Sequence, residues 1–251
     1  MQALDFSSHL LLIRRMGERS LLSARPATRT ITAAVDVVLL TPRDGSLAAL
    51  LIRTADPRAR ERWLLPWDAP RLDESPEDAS QRLARSVLGV PPAAMDQIAA
   101  FGDGRRHPGN AQLSIAFVGL VPFQSSERIA DAAAVWVDVR QLPQMAPRHR
   151  AIVEAAIDVV RRRIDQAPLA FRLLPQLFTL SELQSIYELL LGRSLHKASF
   201  RRALQAASLV EPTEEWRSEG RGRPAQLYRY APRRKRGGRR SVRFDLIESA
   251  V

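Results

Sequence analysis

The chain has 251 residues, enough for a sizeable core and two unequal domains. It contains no cysteine, which excludes disulfides and thiolate metal sites, and its four histidines lack metal-ligand spacing. The net charge is +11, and a net +8 of it comes from residue 168 onward, where 16 basic residues outnumber 8 acidic ones. That distribution favours a polyanionic partner such as nucleic acid for the last third of the chain.

The first 29 residues combine a short apolar run at 10–13 with several arginines. The run is too short to span a bilayer, and the charges follow it instead of preceding it as in a signal peptide. We therefore expect residues 1–29 to be a poorly ordered extension that makes no membrane contact. Met16 is an alternative start to Met1.

Two buried strands and a helix are the first regular elements that the sequence predicts. Residues 31–53 contain two apolar runs separated by Asp44-Gly45, a dipeptide that favours a tight hairpin turn. A helix follows a Leu-Pro turn, with Ser75 as its N-cap, Pro76 at its first position and Gly89 as its stop.

The rest of this half is predicted from its composition and periodicity. Residues 101–110 form a loop rich in Gly and Arg, and strands are expected at 111–122 and 134–139. Residues 148–164 have the apolar period of a closing helix. A linker at 167–169 then leads into the second domain.

Cationic side chains in this half are candidates for binding an anionic effector, because the arginine fork suits phosphate. The effector-binding candidates are Arg53, Arg71, Arg105, Arg106 and His107. Taken one at a time, each arginine is also compatible with an ordinary solvated surface position. We expect no metal ion and no cofactor.

Two helices are predicted after residue 178. The first begins with a capping box, Thr179 with Glu182, and ends at Gly192. The second covers about 196–207 and turns Phe200 and Leu204 inward. Its solvent face carries side chains of the types that contact phosphates or base edges in a major groove: Lys197, Ser199, Arg201, Arg202 and Gln205.

A basic hairpin is predicted to follow these helices. A strand near 209–210, a turn with two glycines and a second strand at 226–230 place Arg221 and Arg223 at its tip, as candidates for backbone or minor-groove contact. The tail at 232–251 is a basic low-complexity segment. Each helix alone is compatible with a solvated face, but the ordered combination predicts a winged helix-turn-helix that binds DNA.

Residues 68–90 resemble the Nudix signature, which is a Gly, five residues, a Glu, seven residues and then Arg-Glu-apolar-x-Glu-Glu-x-Gly-apolar. The positions that match are Glu74, Arg82, Gly89 and Val90. The positions that depart are Asp68, in place of the glycine, and Leu83, Ser86 and Val87, in place of the three box glutamates. Because Nudix hydrolysis needs several carboxylates to hold Mg²⁺, the segment predicts a Nudix fold without Nudix catalysis.

Together the two halves resemble the Nudix-related transcriptional regulators, a bacterial family that joins a degenerate Nudix domain to a winged helix. The most specific segments are PLAFRLLPQLFTLSELQSIYELLLGR, SFRRAL and RGRPAQLY. The resemblance implies an α+β fold: an α/β/α Nudix-like sandwich with a mixed sheet at 30–167, then a winged helix at 168–231. It also implies a cytoplasmic, nucleoid-associated homodimer that binds a palindromic double-stranded DNA operator.

The resemblance further implies that the Nudix-like domain senses a nucleotide-sugar or sugar metabolite, of which ADP-ribose is the best-known type. Trp67-Asp68 stands where the family commonly carries Gly-Gly, and Arg148 replaces an acid before His149. These departures favour either a different effector or a vestigial pocket. Two alternatives remain open: an atypical nucleotide pyrophosphohydrolase that uses Glu74, and a constitutive DNA-binding protein whose Nudix half serves only as a dimer scaffold.

Overall fold

The computed structural model describes residues 30–164, 168–218 and 224–231. The expected N-terminal extension at 1–29, the basic tail at 232–251 and the wing-tip candidates Arg221 and Arg223 lie outside these residues. We call 30–164 the Nudix half and 168–231 the winged-helix half.

The Nudix half is a mixed sheet between helices. Its elements are β1 (Ala33–Arg43), β2 (Ser46–Arg53), β3 (Trp63–Leu64), β4 (Trp67–Asp68), α1 (Pro76–Leu88), β5 (Ala94–Phe101), β6 (Leu113–Leu120), the single turn α2 (Phe123–Ser126), β7 (Ala134–Asp138), a 3₁₀ turn (Val139–Gln141) and α3 (Pro147–Arg163). The strand order is β3-β2-β1-β6-β5, with β4 on β1 and β7 on β2. The β1–β6 pair is parallel and the other pairs in this sheet are antiparallel, which confirms the predicted mixed sheet.

The β1–β2 hairpin closes as its turn dipeptide predicts. Asp44 and Gly45 have φ angles of 49° and 72°, and Arg43 pairs with Ser46 across the turn. Two consecutive positive φ angles match the right-handed twist of the strands, and Asp and Gly adopt them at low cost.

Strand β1 divides the core between the two faces of the sheet. Val35, Val37 and Leu39 pack in the cluster that contains α1, whereas Val38 and Leu40 pack in the cluster that contains α3. Strand residues alternate between faces, so Asp36 falls on the α3 side. Its carboxylate is buried on that face.

Strand β5 was not expected from the sequence. Its residues AMDQIAAF include a single β-branched side chain and lack a clean alternation, and its burial is irregular along the strand. It forms because β6 offers a free edge, with which it pairs from Ala94 to Phe101. Tertiary pairing here overrides weak local propensity.

The winged-helix half has the expected order of elements. They are a 3₁₀ turn (Ala170–Leu173), β8 (Leu177–Phe178), α4 (Leu180–Leu191), α5 (Lys197–Ala207), β9 (Val210–Arg217) and β10 (Ala225–Tyr230). The three strands form one antiparallel sheet in the order β8-β10-β9. The capping box of α4 and its left-handed stop at Gly192 are both present, as predicted.

A single apolar cluster runs from the sheet through α3 into the winged helix, where it includes Leu183, Leu190 and Phe200. Across the same junction, Arg172 Nη1 donates to the Ala93 carbonyl at 3.2 Å. Helix α4 is therefore packed directly on α3 and on strand β2 of the Nudix half. Among the described residues, no helix combines the length and apolar character needed to cross a bilayer.

Candidate DNA-binding surface and sensor site

Helix α5 is held by its apolar side and presents its polar side to solvent. Phe200 and Leu204 are fully buried, and Lys197, Arg201 and Gln205 lie exposed on successive turns. Arg202 lies about 100° further around the helix than Arg201. It therefore widens the exposed polar surface instead of lengthening the row formed by Lys197, Arg201 and Gln205. All five candidates thus lie on one helix, in two adjacent stripes.

The polar contacts of α5 are mostly local. Arg202 Nη2 donates to Ser199 Oγ at 3.3 Å, and Ser199 Oγ lies 3.2 Å from His196 Nδ1. His196 occupies the N-cap position, but its side chain makes no capping hydrogen bond to the backbone. Its ring contacts the Ser199 hydroxyl instead.

The positive charge of this surface is not neutralised within the described part of the chain. Over those residues, no carboxylate lies within 4.0 Å of the cationic groups of Lys197, Arg201 or Arg202. Unpaired guanidinium groups on an exposed helix are free to bind phosphate oxygens or the guanine edge.

Arg217 connects the wing to the first helix of the motif. Its Nη1 donates to Glu182 Oε1 at 2.6 Å and its Nη2 to the Leu177 carbonyl at 3.2 Å. The other oxygen of Glu182 accepts the Thr179 backbone N–H at 2.7 Å. One carboxylate therefore caps α4 and holds strand β9. Sequence analysis missed Arg217, because its partner lies 35 residues away and no local pattern marks it.

In the Nudix half, helix α1 turns two of its three altered signature positions toward the sheet and leaves the third, Ser86, exposed. Leu83 and Val87 are buried in the core cluster, and the Ser86 hydroxyl donates to the Leu83 carbonyl at 2.8 Å. An apolar side chain offers no ligand atom for a divalent cation. The helix has the position of a Nudix helix but presents no carboxylate at those three positions.

Two signature residues that remain, Arg82 and Glu74, form an ion-pair network with Asp68. Arg82 donates to Glu74 through Nε at 2.7 Å and Nη2 at 2.9 Å, and through Nη1 to Asp68 at 3.0 Å. Glu74 also accepts the Arg71 backbone N–H at 2.9 Å. These hydrogen bonds, chiefly those from Arg82, lower the pKa of Glu74 to about 2. Glu74 is thus a fully ionised partner of Arg82.

Asp73 and Glu74 precede the N-cap Ser75 and lie outside the first turn of α1, which contains the acidic residues Glu77 and Asp78. Asp73 has a φ of 61°, so the chain bends sharply before the helix. The bend turns the Glu74 carboxylate toward Arg82, two turns further along α1.

A buried cluster of Asp36, His107 and His149 joins strand β1, the loop between β5 and β6, and helix α3. Asp36 Oδ1 is 3.0 Å from Nε2 of each histidine, and the two Nε2 atoms are 3.2 Å apart. All three side chains are inaccessible to solvent. The Trp67 ring meets the His107 ring edge-on at a centroid distance of 4.7 Å. His107, chosen from the sequence as an effector ligand, is therefore an internal residue.

The backbone determines the tautomers of this cluster. Leu65 N–H donates to His149 Nδ1 at 3.1 Å, and Gly109 N–H donates to His107 Nδ1 at 3.0 Å. Both Nδ1 atoms are acceptors, so the protons lie on Nε2 and are donated to Asp36. A metal-bound imidazole instead needs its second nitrogen to donate. Although the three ligand atoms lie within 4.8 Å of one another, the cluster fits a hydrogen-bond network and does not fit a metal centre.

The charge states of the cluster follow from this arrangement. Burial alone would raise the pKa of Asp36, but the hydrogen bonds from His107 and His149 hold it well below its ordinary value. Burial lowers the pKa of His149 and outweighs the opposing attraction of Asp36. The stable form is an ionised carboxylate that accepts two imidazole N–H groups.

The same region holds the loop between β5 and β6. Arg148 is buried at the start of α3, and its Nη1 donates to the carbonyls of Ala111 and Gln112 at 2.9 and 3.1 Å. Trp67 lies so close to Gly109 that a Cβ there would come within 2.0 Å of the indole ring. Arg148 and the Trp67-Gly109 contact therefore have structural roles in fixing this loop.

The structure does not gather the five effector candidates into one pocket. Arg105 is paired with Asp103 at 2.7 Å, and Arg106 is paired with the buried Glu61. Arg71 is exposed before α1, and Arg53 lies 6.0 Å from the centre of the Trp63 ring. Arg53 lines an open cleft of about 420 Å³ with Arg62 and Asp56, to which the other four candidates do not contribute.

The fold and these two surfaces define a Nudix domain joined to a DNA-binding winged helix, and family comparisons agree. The NUDIX domain family matches residues 30–156, and the NrtR DNA-binding winged helix domain matches residues 170–230. The chain belongs to the Nudix-related transcriptional regulators.

Individual relatives give the same result. The ADPR responsive transcriptional repressor NtrR of Acinetobacter baylyi is 29% identical over 203 residues, which cover 78% of this chain and 81% of that protein. The crystal structure of Shewanella oneidensis NrtR complexed with a 27mer DNA is 29% identical, covers 80% of this chain and 94% of its own, and has a TM-score of 0.69. A MutT/nudix family protein from Enterococcus faecalis has a TM-score of 0.63 at 17% identity over 91% of this chain and 94% of its own, a likeness of fold.

Proposed function

We propose that this protein is a transcriptional repressor that binds double-stranded operator DNA through α5 and the wing and responds to a metabolite bound by its Nudix half. The observation that carries this proposal is the exposed basic surface of α5, whose Lys197, Arg201 and Arg202 have no carboxylate partner among the described residues. Helix α5 and the Nudix sheet share one core, so a change in one half can reach the other.

The Nudix half is proposed to bind without hydrolysing. Leu83 and Val87 are buried at two of the three altered positions, and Glu74, the remaining signature acid, is held bidentately by Arg82. Holding Mg²⁺ for pyrophosphate cleavage takes several oxygen ligands that are not already paired. This arrangement disfavours the pyrophosphohydrolase alternative.

ADP-ribose is the first effector to test, because the Acinetobacter relative is named as responsive to it. The exposed Arg53 and Arg71 are the candidates best placed to contact phosphate, since Arg105 and Arg106 are already paired with carboxylates. His107 would act indirectly, by holding the loop between β5 and β6. The half-buried Trp67 and the Asp68 carboxylate next to it would change the pose of a pyrophosphate.

Each role is assigned to one of the proposed domains: residues 30–167 sense the effector, and residues 168–231 bind DNA. Two copies in a homodimer would place their α5 helices in half-sites of a palindromic operator about one helical turn apart. Effector binding would change the relative placement of these helices. The site of action is then the bacterial cytoplasm, where the chromosome lies.

Fluorescence anisotropy on the upstream intergenic DNA at fixed salt tests the proposal. We expect tight, specific binding that ADP-ribose weakens at least tenfold, which corresponds to roughly 1.4 kcal/mol of coupling. NAD and a panel of sugar phosphates serve as competing effectors in the same assay. Tight binding that no compound alters would favour the constitutive DNA-binding alternative.

A second assay separates the regulator from the hydrolase. Purified protein is incubated with ADP-ribose and Mg²⁺, and AMP release is followed over time. We expect no turnover from wild type. Mg²⁺-dependent turnover that Glu74→Gln abolishes would contradict the proposal and support the hydrolase.

A further inference from the structure

A cleft of about 420 Å³ opens where the two halves meet. From the Nudix half it is lined by the β1–β2 turn and the start of β2 at 45–47, by Val139 and Arg140 after β7, and by Arg161 of α3. From the winged-helix half it is lined by residues of α4 and of the turn that leads to α5. Its volume lies in the range of small-molecule sites, about 300–1,000 Å³.

The charged residues that line this junction cleft are mainly cationic. They are Arg140, Arg161, Arg193 and Glu188. The Arg140 charge is offset by Asp138, with Nη2 and Oδ2 2.7 Å apart. Glu188 remains the one acidic residue in this lining, and its Oε1 accepts the Leu195 N–H at 2.8 Å and the Gln184 amide at 3.0 Å. The lining therefore carries more positive than negative charge.

Arg161 lies against the end of α4. Its Nη2 is 2.6 Å from the place that a Cβ on Gly192 would occupy, so Gly192 leaves the space that the guanidinium fills. The C-terminal carbonyls and the dipole of α4 favour a cation at this point. Among the described residues, no carboxylate lies within 4.0 Å of Arg161. A guanidinium has five N–H donors, so donors remain for a ligand.

We infer that the junction cleft binds a small phosphorylated anion, with Arg161 as its principal contact. The arginine fork matches phosphate bidentately, and the hydroxyls of Ser185 and Ser194 add donors in the same lining. None of the five effector candidates lines this cleft, so the site is distinct from the proposed sensor site. Since both halves contribute to its walls, occupancy stabilises one arrangement of the winged helix on the Nudix half.

Isothermal titration of the full-length protein with inorganic pyrophosphate, at constant ionic strength and without DNA, tests this inference. Wild type is expected to bind at one site per chain. Arg161→Gln should weaken binding at least tenfold, about 1.4 kcal/mol. Arg162→Gln is the matched control, because Arg162 is the next residue of α3, is exposed and does not line the cleft.

Loss of Arg161 also removes a contact with the end of α4, so each variant is checked by thermal unfolding. Ser194→Asp is a second variant that keeps Arg161 and adds a negative charge to the exposed turn, and it too should weaken pyrophosphate binding. The inference is overturned if wild type binds no pyrophosphate at millimolar concentration. Equal losses in Arg161→Gln and Arg162→Gln would also overturn it. The assay contains neither DNA nor ADP-ribose, so its result is independent of the proposed regulatory response.

Discussion

Arginine and histidine have opposite roles in the two halves of this protein. On α5, Arg201 and Arg202 are exposed and have no carboxylate partner among the described residues. In the loop between β5 and β6, Arg106 is paired with Glu61 and His107 is buried against Asp36. The sequence made both segments candidates for binding an anion. The contrast shows that the availability of an arginine or histidine to a ligand depends more on its existing partner in the fold than on its residue type.

The two regions should therefore respond differently to mutation. Substitutions in the buried cluster should lower the free energy of unfolding, whereas substitutions on α5 should lower DNA affinity and leave stability almost unchanged.

The largest effect is expected from Asp36→Ala. This change leaves the Nε2–H groups of His107 and His149 buried without an acceptor and creates a cavity among residues of zero accessibility. We expect the free energy of unfolding to fall by about 3 kcal/mol or more. Urea denaturation measures it, with Asp158→Ala on the exposed side of α3 as the control. Equal stability of the two variants would show that the cluster does not stabilise the fold.

The next effect concerns α5. Arg201 and Arg202 are adjacent and point in different directions, so we predict that one contacts bases and the other phosphate. Replacing the base-contacting arginine by Ala should cost about 1–3 kcal/mol of operator affinity, whereas replacing the other should reduce the salt slope by about one. Anisotropy over a range of salt concentrations separates the two outcomes.

Arg85→Ala, on the exposed side of α1, is the matched control for the change in charge. All three variants should unfold within about 0.5 kcal/mol of wild type, because surface substitutions rarely cost more. Unchanged operator affinity for both Arg201→Ala and Arg202→Ala would contradict the assignment of α5 as the recognition helix.

Much of the fold could be predicted because its signals are local. The Asp44-Gly45 turn, the Ser75 cap and the Thr179–Glu182 capping box each lie within a few residues of what they determine. The α5 surface could be predicted for the same reason, since helical spacing alone separates its buried face from its exposed face.

The interior of the sensor could not be predicted, because its contacts join distant parts of the chain. His107 bonds Asp36 across 71 residues, and Leu65 N–H bonds His149 across 84. No spacing within the loop distinguishes a buried histidine from a ligand-binding one. The same holds for Arg148, whose guanidinium bonds carbonyls 36 and 37 residues away.

Acid should destabilise the buried cluster before it affects α5. The folded-state pKa of His149 lies below its ordinary value of 6.5, so below that pH the unfolded chain takes up a proton that the folded chain does not. Asp36 adds to this loss below its ordinary value of 3.8, because its folded-state pKa is lowered as well. The stability is present above about pH 6.5 and declines as the pH falls.

Urea denaturation at several pH values checks this prediction. The decline should be smaller than the loss in Asp36→Ala, because all the hydrogen-bonding groups remain. His149→Gln, which cannot titrate, should flatten the curve between pH 6.5 and 5. Stability that rises on acidification over this range would contradict the proposed neutral state of His149.

The smallest effect tests how the wing is held. Glu182→Gln keeps a side-chain acceptor for the α4 cap, since Gln also serves in a capping box, but it removes the charge that Arg217 contacts at 2.6 Å. Because both side chains are about one-third exposed, the loss of stability should be only about 0.2–1 kcal/mol. Operator affinity should fall as well, because strand β9 loses its ion pair with helix α4.

Glu211→Gln removes the Arg229 pair at the opposite end of β9 and is the matched control. If both variants bind DNA equally well, then Arg217 does not position the wing, and the exposed charges of α5 carry the interaction without it.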